Sequence, residues 1–494
     1  MPANLVTRPD FNVVQPGAYS AVNASELQNP APNTGPIPAI LGACTGGKSG
    51  EAMYFSSPGI LASVLRSGPA YDGARIALAK CSQVCVVRVG KKVTQATIEL
   101  AGATGELVKL TSFGYGIWAN AITVAVEAGP IVVLKYTDPS GNVYREKWNF
   151  ASLESGKPTN AHIAAAINGE LFGYTASNFV TAEAKAGTGE LKTASATALA
   201  GGEEEAPEAA NWVAGLAALE SQPISIITPM TAEASVHAMV EEHCNIMSNG
   251  NARKERTWIG GGAVGETYTK TIERINGSSP LQNKRTQIAC PAMYFYNSTG
   301  QLTLYPPYYR AAMYAGMHCG LPDVATSLCH EETIEVAPET VYSTAQGAEL
   351  DQLLLAGASP SAPKPGGGTY VVDSLSTSNE AAGYYRDYHK TRSADYVSRF
   401  LRTELEAKYT GGKNLNGTAE SQEKTAELLL KELLSAQIIR AFKPPTVEPG
   451  PTTGAVVTSS NSYILNAPVM LIDADKYTFI EVALQSPNAI QTGA

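Results

Sequence analysis

Apolar positions along this chain change their spacing several times, and each change marks an element. From residue 37 the run "IPAILGA" is continuously apolar, as in a strand buried on both faces. "SSPGILASVLRSG" takes helical spacing, with Ser57 as N-cap, Pro58 at the first helical position and Gly68 at the end. "CSQVCVVRVG" is the next strand, so this region reads as α/β. Residues 100–182 turn β-rich, with "AITVAVEAG", "IVVLKYTDPSGNVYREKW" and a turn at Asp138–Gly141. The small, polar and acidic stretch 183–210 reads as a loop or linker.

Strand and helix then alternate again through "NWVAGLAALES", "PISIITPM", "AEASVHAMVEEHCNIM" and "ERTWIGG". "PPYYRAAMYAGMHCGLP" predicts a helix opened by Pro306 and Pro307 and closed by Gly320 and Pro322. Tyr309, Ala312, Met313, Gly316 and Met317 share one face of it, a core stripe. A second loop, "GASPSAPKPGGG" (357–368), precedes a helical C-terminal section. There Tyr396, Val397, Phe400, Leu401 and Leu405 form a stripe ending at Gly411–Gly412, and "TAELLLKELLSA" follows with Glu427 four residues before Lys431.

The two ends differ from everything between them. Residues 1–20 scatter Leu5, Val6, Val13 and Val14 among Pro, Asp and Asn, too few to make a core; extended, they reach roughly 60 Å. At the other end "SYILNAPVMLI" is followed by "KYTFIEVAL", in which Thr478, Ile480, Val482 and Leu484 face one way and Tyr477, Phe479 and Glu481 the other. A strand there needs a partner, in this chain or in another.

Composition narrows the function classes. The 494 residues suggest two to four domains, and 44% hydrophobic with 16% charged residues describes a folded chain. With a net charge of −9 and no basic block, a nucleic-acid groove is disfavoured. The N-terminus has no apolar signal-peptide core, and no run reaches the ~18 apolar residues of a spanning helix, so a soluble protein made in the cytosol is expected. Seven cysteines (Cys44, Cys81, Cys85, Cys244, Cys290, Cys319 and Cys329) cannot all pair within one chain. Three readings stand: buried reduced thiols, pairing between subunits in an oxidising medium, and a zinc site suggested by His243–Cys244, His318–Cys319 and Cys329–His330.

Two motifs imitate nucleotide sites. Gly42, Gly47, Lys48 and Ser49 spell G-x-x-x-x-G-K-S after a strand. A phosphate loop must open directly into a helix whose N–H groups face the anion, yet the helix signal here starts only near Ser57, leaving a loop. Lys48 then reads as a solvated loop residue, and nucleotide hydrolysis remains only as the enzymatic alternative. Gly260, Gly262 and Gly265 spell G-x-G-x-x-G, but no Asp or Glu lies between Glu273 and Asp323 to hold a ribose. A flexible loop is the simpler reading. No G-x-S-x-G or H-E-x-x-H occurs, and the six histidines are scattered. No enzyme, cofactor or metal is expected.

The order of the pieces resembles the contractile tail sheath proteins of myophages. "QPGAYSAVN" resembles the family's Pro-Gly-aromatic beginning. "IPAILGACTGGKSGEAMYFSSPGILASVLRSGPAYDGARIAL" resembles its strand, Gly-rich loop, helix and "G-P-x-Y-D-x-A" turn, and "VCVVRVG" the V-R-V strand that follows. "FGYGIWANAITVAV" is similar to the start of its β-rich insertion, and "ALAGGEEEAPEAANWVAGLAALES" to the return from it. "PPYYRAAMYAGMHCGLPDVATSL" and the two-helix stretch 392–439 complete the series; the Pro- and Thr-rich stretch 441–462 departs from it.

The resemblance implies a fold of mixed α/β and α+β class in several domains. Residues 1–20 would be an N-terminal arm, 21–100 and 201–368 the α/β core, 101–200 a β-rich insertion on the outside, 369–475 a C-terminal inner domain of two helices plus strands, and 476–494 a C-terminal arm. It further implies hexameric rings stacked helically around a tail tube, with baseplate and tail terminator proteins as further partners and neither nucleic acid nor membrane insertion. The arms, through Leu5, Val6, Thr7, Val13, Val14 and Tyr477, Thr478, Phe479, Ile480, Glu481, Val482, Ala483, Leu484, would add strands to neighbouring subunits. Contraction would release energy held in a metastable extended lattice and drive the tube through the host envelope. The chain would be assembled in the host cytoplasm and reside in the virion tail. The sheath of an R-type bacteriocin or other contractile injection particle is the structural alternative.

Overall fold

The computed structural model describes residues 36–138, 141–153, 158–250, 252–277, 281–380, 383–414, 417–449 and 463–476, together with the strands Val6–Arg8 and Phe11–Val13. It is a mixed α/β structure of several sheets and helices. The first α/β region supplies strand β1 (Pro38–Gly42), strand β2 (Ala52–Phe55), helices α1 (Pro58–Leu65) and α2 (Pro69–Leu78), and strand β3 (Val84–Arg88). The second supplies α3 (Ala209–Leu219), β4 (Ile226–Pro229), α4 (Ala234–Met247), β5 (Thr257–Gly261), α5 (Tyr268–Asn276), β6 (Thr286–Cys290), α6 (Pro307–Gly320), α7 (Glu349–Ala356), β7 (Ala358–Pro363) and β8 (Thr369–Val371).

These eight strands form one sheet in the order β8-β7-β6-β5-β4-β1-β3-β2. The six inner strands are parallel, and β8 and β2 close the two edges antiparallel. Because helices cover both faces, β1, β3, β5 and β6 are buried at every position, the polar Arg88, Thr257, Thr286 and Gln287 included. One face packs on α1, α2 and α6 through Leu61, Leu65, Ala74, Met313 and Tyr314. The other packs on α3, α4, α5 and α7 through Trp212, Leu216, Val240, Ile275 and Leu353. Side chains such as Leu61 and Leu65 each contribute ~2 kcal/mol by leaving water. Helix α6 is buried at Pro307 and from Tyr309 to His318, not along one stripe. A Cβ at Gly316 would lie 2.3 Å from the Ala77 carbonyl oxygen, so only glycine lets α6 approach α2 so closely.

Between β3 and α3 lies a β-rich insertion with its own buried cluster, from Ala96 to Leu199. It holds a three-stranded antiparallel sheet (Gln95–Ala101, Glu106–Tyr115, Val180–Ala184), a four-stranded one (Thr123–Glu127, Ile131–Thr137, Val143–Asn149, Ala194–Ala198) and the helix Asn160–Ile167. After β8 come the helices α8 (Tyr388–Tyr409) and α9 (Thr418–Ser435). Two short strand pairs follow: Ile439–Phe442 with Val469–Leu471, and Thr446–Pro449 with Tyr463–Asn466. Val397, Leu401, Leu430, Leu433, Ile439 and Leu471 are the buried centre of this region.

Four local expectations are corrected. The loop at 357–368 contains β7, a buried strand of the main sheet. Its apolar signal is missing because Ser359 and Ser361 face buried polar partners: Gln287 Nε2 donates to Ser359 Oγ at 2.9 Å, and Ser361 Oγ to Glu335 at 3.1 Å. The turn at "GPAYDGA" opens helix α2, with Pro69 in the first turn where its missing N–H costs nothing. The loop between Lys48 and Ser57 contains β2, paired to β3. The linker 183–210 contains the strand Ala194–Ala198, exposed at all five positions and held by its backbone ladder to Thr123–Glu127. Among the described residues no helix is long and apolar enough to cross a membrane.

Candidate functional site

The Gly-rich loop surrounds a cation. Arg88, fully buried at the end of β3, donates from Nη1 to the Gly47 carbonyl at 2.6 Å and to the Tyr115 carbonyl at 3.0 Å. Its Nη2 lies 2.9 Å from Glu204 Oε2. Three of the loop's N–H groups are engaged within the chain: Thr45 donates to Ser67, Gly46 to Leu65 and Gly50 to Arg88, all backbone carbonyls at 2.9–3.0 Å. Ser49 Oγ donates to the Gly90 carbonyl at 3.0 Å, and exposed Lys48 pairs with Glu51. The cradle presents carbonyls where a phosphate site presents N–H groups, and it is filled by a guanidinium of the chain itself that Glu204 pairs with. It ties together the core loop (Gly47), the first strands of the insertion (Tyr115) and the returning segment (Glu204), with Lys91 and Lys92 pairing to Glu205 beside it.

The second glycine motif also has an internal occupant. At the start of α5, Glu266 accepts from the Ala263 N–H at 3.1 Å and from Arg274 Nη2 at 2.7 Å, so a carboxylate of the chain itself takes the anion's place. Burial would raise that carboxyl, but Arg274 outweighs it and holds it below the usual range. Gly261 is required because a Cβ there would lie 2.3 Å from Pro307 of α6.

All seven cysteines are free thiols. Cys44, Cys85, Cys244 and Cys290 are buried; Cys81, Cys319 and Cys329 are half-buried. Burial pushes the first four and Cys81 up to about 12, and Cys319 and Cys329 to about 11. Among the described residues no three of His, Cys, Asp and Glu converge as a metal site. His243 instead faces Arg256, and His318 accepts at Nδ1 from Arg392 Nη1 at 3.0 Å.

Of the arm residues, Val6, Thr7 and Val13 lie on the antiparallel strand pair Val6–Arg8 and Phe11–Val13, where Val6 is opposite Val13. Leu5, Val14 and Tyr477–Leu484 lie outside the described residues. Helix α8 is fastened to the α/β core by charge: Arg285 binds Asp395 through two contacts of 2.6 and 3.0 Å, and Arg402 binds Glu255 through two of the same lengths. Sequence reasoning missed Arg88 and its partner Glu204. The available signal was a single charge inside the apolar run "VCVVRVG", which in a doubly covered strand demands a buried partner.

No family model matches the chain. The tail sheath protein of Bacillus phage SP01 is 26% identical over 261 residues, so the match spans 52% of this chain and 43% of that relative. Among solved structures, the sheath tail protein from Desulfitobacterium hafniense superposes with a TM-score of 0.63 at 14% identity, over 92% of this chain and 100% of that one. The sheath tail protein from Listeria innocua gives 0.63 at 16% identity, over 91% and 95%. The helical sheath of the anti-feeding prophage in its contracted state gives 0.52 at 11% identity, over 97% and 100%. In sequence the chain is similar to a phage tail sheath protein, and its fold is that of the sheath tail proteins.

Proposed function

We propose that this chain is the structural subunit of a contractile tail sheath. The carrying observation is that its fold matches sheath tail proteins over more than nine-tenths of its length, together with its sequence similarity to a phage tail sheath protein. In this reading, copies assemble as hexameric rings that stack around a tail tube, next to a baseplate at one end and a terminator at the other. The insertion faces outward and the α8–α9 region faces the tube. The arms, residues 1–20 and 476–494, add strands to neighbouring subunits, so rings stay tied while they slide as rigid bodies. The contracted lattice buries more surface than the extended one, and that difference does the work without nucleotide. The subunit is assembled in the host cytoplasm and ends in the virion. A disulfide between subunits falls to the half-buried Cys81, Cys319 and Cys329.

Similarity to the anti-feeding prophage sheath favours a second reading, the sheath of an R-type bacteriocin or other contractile injection particle. Negative-stain microscopy of the purified protein, with and without reductant, is the test. Hollow tubes of stacked rings are expected, and monodisperse small particles under every condition would sink the proposal. Deleting residues 1–12 should leave a folded protomer that forms no stable tubes; normal polymerisation by that deletion refutes the role of the N-terminal arm.

A further inference from the structure

The last described residue, Lys476, does not trail away from the body. After pairing with Ile439–Phe442, the chain leaves Val469–Leu471 and crosses back to the α/β core. The Ile472 carbonyl accepts from the ring of His389 at 3.3 Å, and Asp473 pairs with Lys390. Lys476 Nζ then lies 2.8 Å from both carboxylate oxygens of Asp373, two residues beyond β8, and also pairs with Asp387, the N-cap of α8. Lys390 approaches Asp387 at 3.5 Å from the same helix. Lys476, Asp373 and Asp387 are only 11–15% exposed, so three elements of the fold meet on one desolvated ammonium group.

Such a group is held tightly, because its withdrawal would leave Asp373 buried without the cation it faces and Asp387 with only the more distant Lys390. Burial alone would lower the Lys476 ammonium and raise the Asp387 carboxyl, yet their mutual attraction reverses both directions. By contrast, the strand just before it is weak: Val469–Leu471 pairs with Ile439–Phe442 at three positions, with an irregularity between them. A pull applied beyond residue 476 would unzip that ladder from its end unless something intercepts the load.

We propose that Lys476 is the anchor of the C-terminal arm. It passes tension from residues 477–484 into Asp373 of the main sheet edge and Asp387 at the start of α8, and so shields the short ladder upstream. This rests on the reading that residues 477–484 pair with a neighbouring subunit. The cluster would then make the α/β body the element that each neighbour pulls on.

The experiment compares the full chain with Lys476→Met, Lys476→Arg and Asp373→Asn, by amide hydrogen exchange of the protomer and by urea dissociation of assembled tubes. In Lys476→Met, amides of residues 469–476 should exchange at least about tenfold faster while the α6 amides stay protected. Tubes of this variant should dissociate at lower urea, and Lys476→Arg should restore both readouts. Asp373→Asn, which leaves Asp387 in place, should give a smaller change of the same sign. Unchanged exchange in Lys476→Met overturns the anchor. Faster exchange with unchanged tube dissociation overturns its role in bearing load. If the wild-type chain forms no tubes at all, the sheath reading fails, and the exchange data still decide whether Lys476 fixes the chain end.

Discussion

Replacing Arg88 by Met tests the reading of the Gly-rich loop directly. Met keeps much of the apolar stem but removes the guanidinium that binds two carbonyls and Glu204. Because the Arg88 side chain is fully buried and Glu204 is 18% exposed, the loss exceeds that of a surface pair. Removing one partner of a buried pair costs ~3–5 kcal/mol, and this cost already includes the stranded Gly47 and Tyr115 carbonyls. Arg88→Met should therefore lower stability by about 3–5 kcal/mol. Glu204→Gln, which leaves the carbonyl bonds intact, should cost about 1–3 kcal/mol. The double variant should cost less than the sum, since the second change removes the charge stranded by the first. Urea unfolding at neutral pH gives the energies, and limited proteolysis locates the damage. New cleavage should fall at residues 43–50 and 200–208, where the clamp joins core to insertion. If Arg88→Met unfolds within 1 kcal/mol of wild type, or the two variants add without coupling, the clamp is not what holds this junction.

Three further outcomes are expected. Burial, helped by Arg274 beside His237 and Arg256 beside His243, depresses both imidazoles to about 4. The unfolded chain therefore binds more protons between pH 6.5 and 4, and stability should fall as pH drops through that window by about 2 kcal/mol per histidine at pH 5; urea midpoints that are flat from pH 7 to pH 5 would contradict this. The Arg66 guanidinium sits 4.1 Å from the Trp118 ring centroid at the joint of core and insertion, so Arg66→Met should cost about 0.5–2 kcal/mol and shift tryptophan emission; an unaltered spectrum refutes that contact. Native thiol alkylation read by mass spectrometry should modify Cys81, Cys319 and Cys329 before Cys44, Cys85, Cys244 and Cys290, and the reverse order would contradict the burial pattern.

Legibility in the sequence followed the burial of apolar side chains. Strands β1 and β3 and helix α6 could be read because most of their positions are apolar side chains buried in the core. Strand β7 could not, because its environment is a polar interior built from Gln287, Arg310 and Glu335, where serine is the fitting residue. Helix α2 was hidden by Gly68 and Pro69, which read as a turn and act here as a helix start. The late start of the next helix already argues against a nucleotide site at Gly42–Ser49, but what fills the loop is not legible: it is Arg88, a residue 39 positions after Ser49 whose side chain reaches back to Gly47. Pairings at that separation leave no periodic trace. The order of the elements along the chain, by contrast, was enough to suggest the sheath fold.

The insertion begins and returns at one place. Lys91 and Glu205 form a backbone bridge in which each N–H donates to the other's carbonyl, and Thr97 and Ala200 do the same a few residues further out. More than a hundred residues thus hang from a neck only two strands wide, beside the Arg88 clamp. A module whose two ends touch can be exchanged without rerouting the chain beneath it. The neck is therefore a natural graft point: a foreign domain with adjacent termini, spliced between residues 97 and 200, would inherit the position of the insertion while β3 and α3 keep theirs.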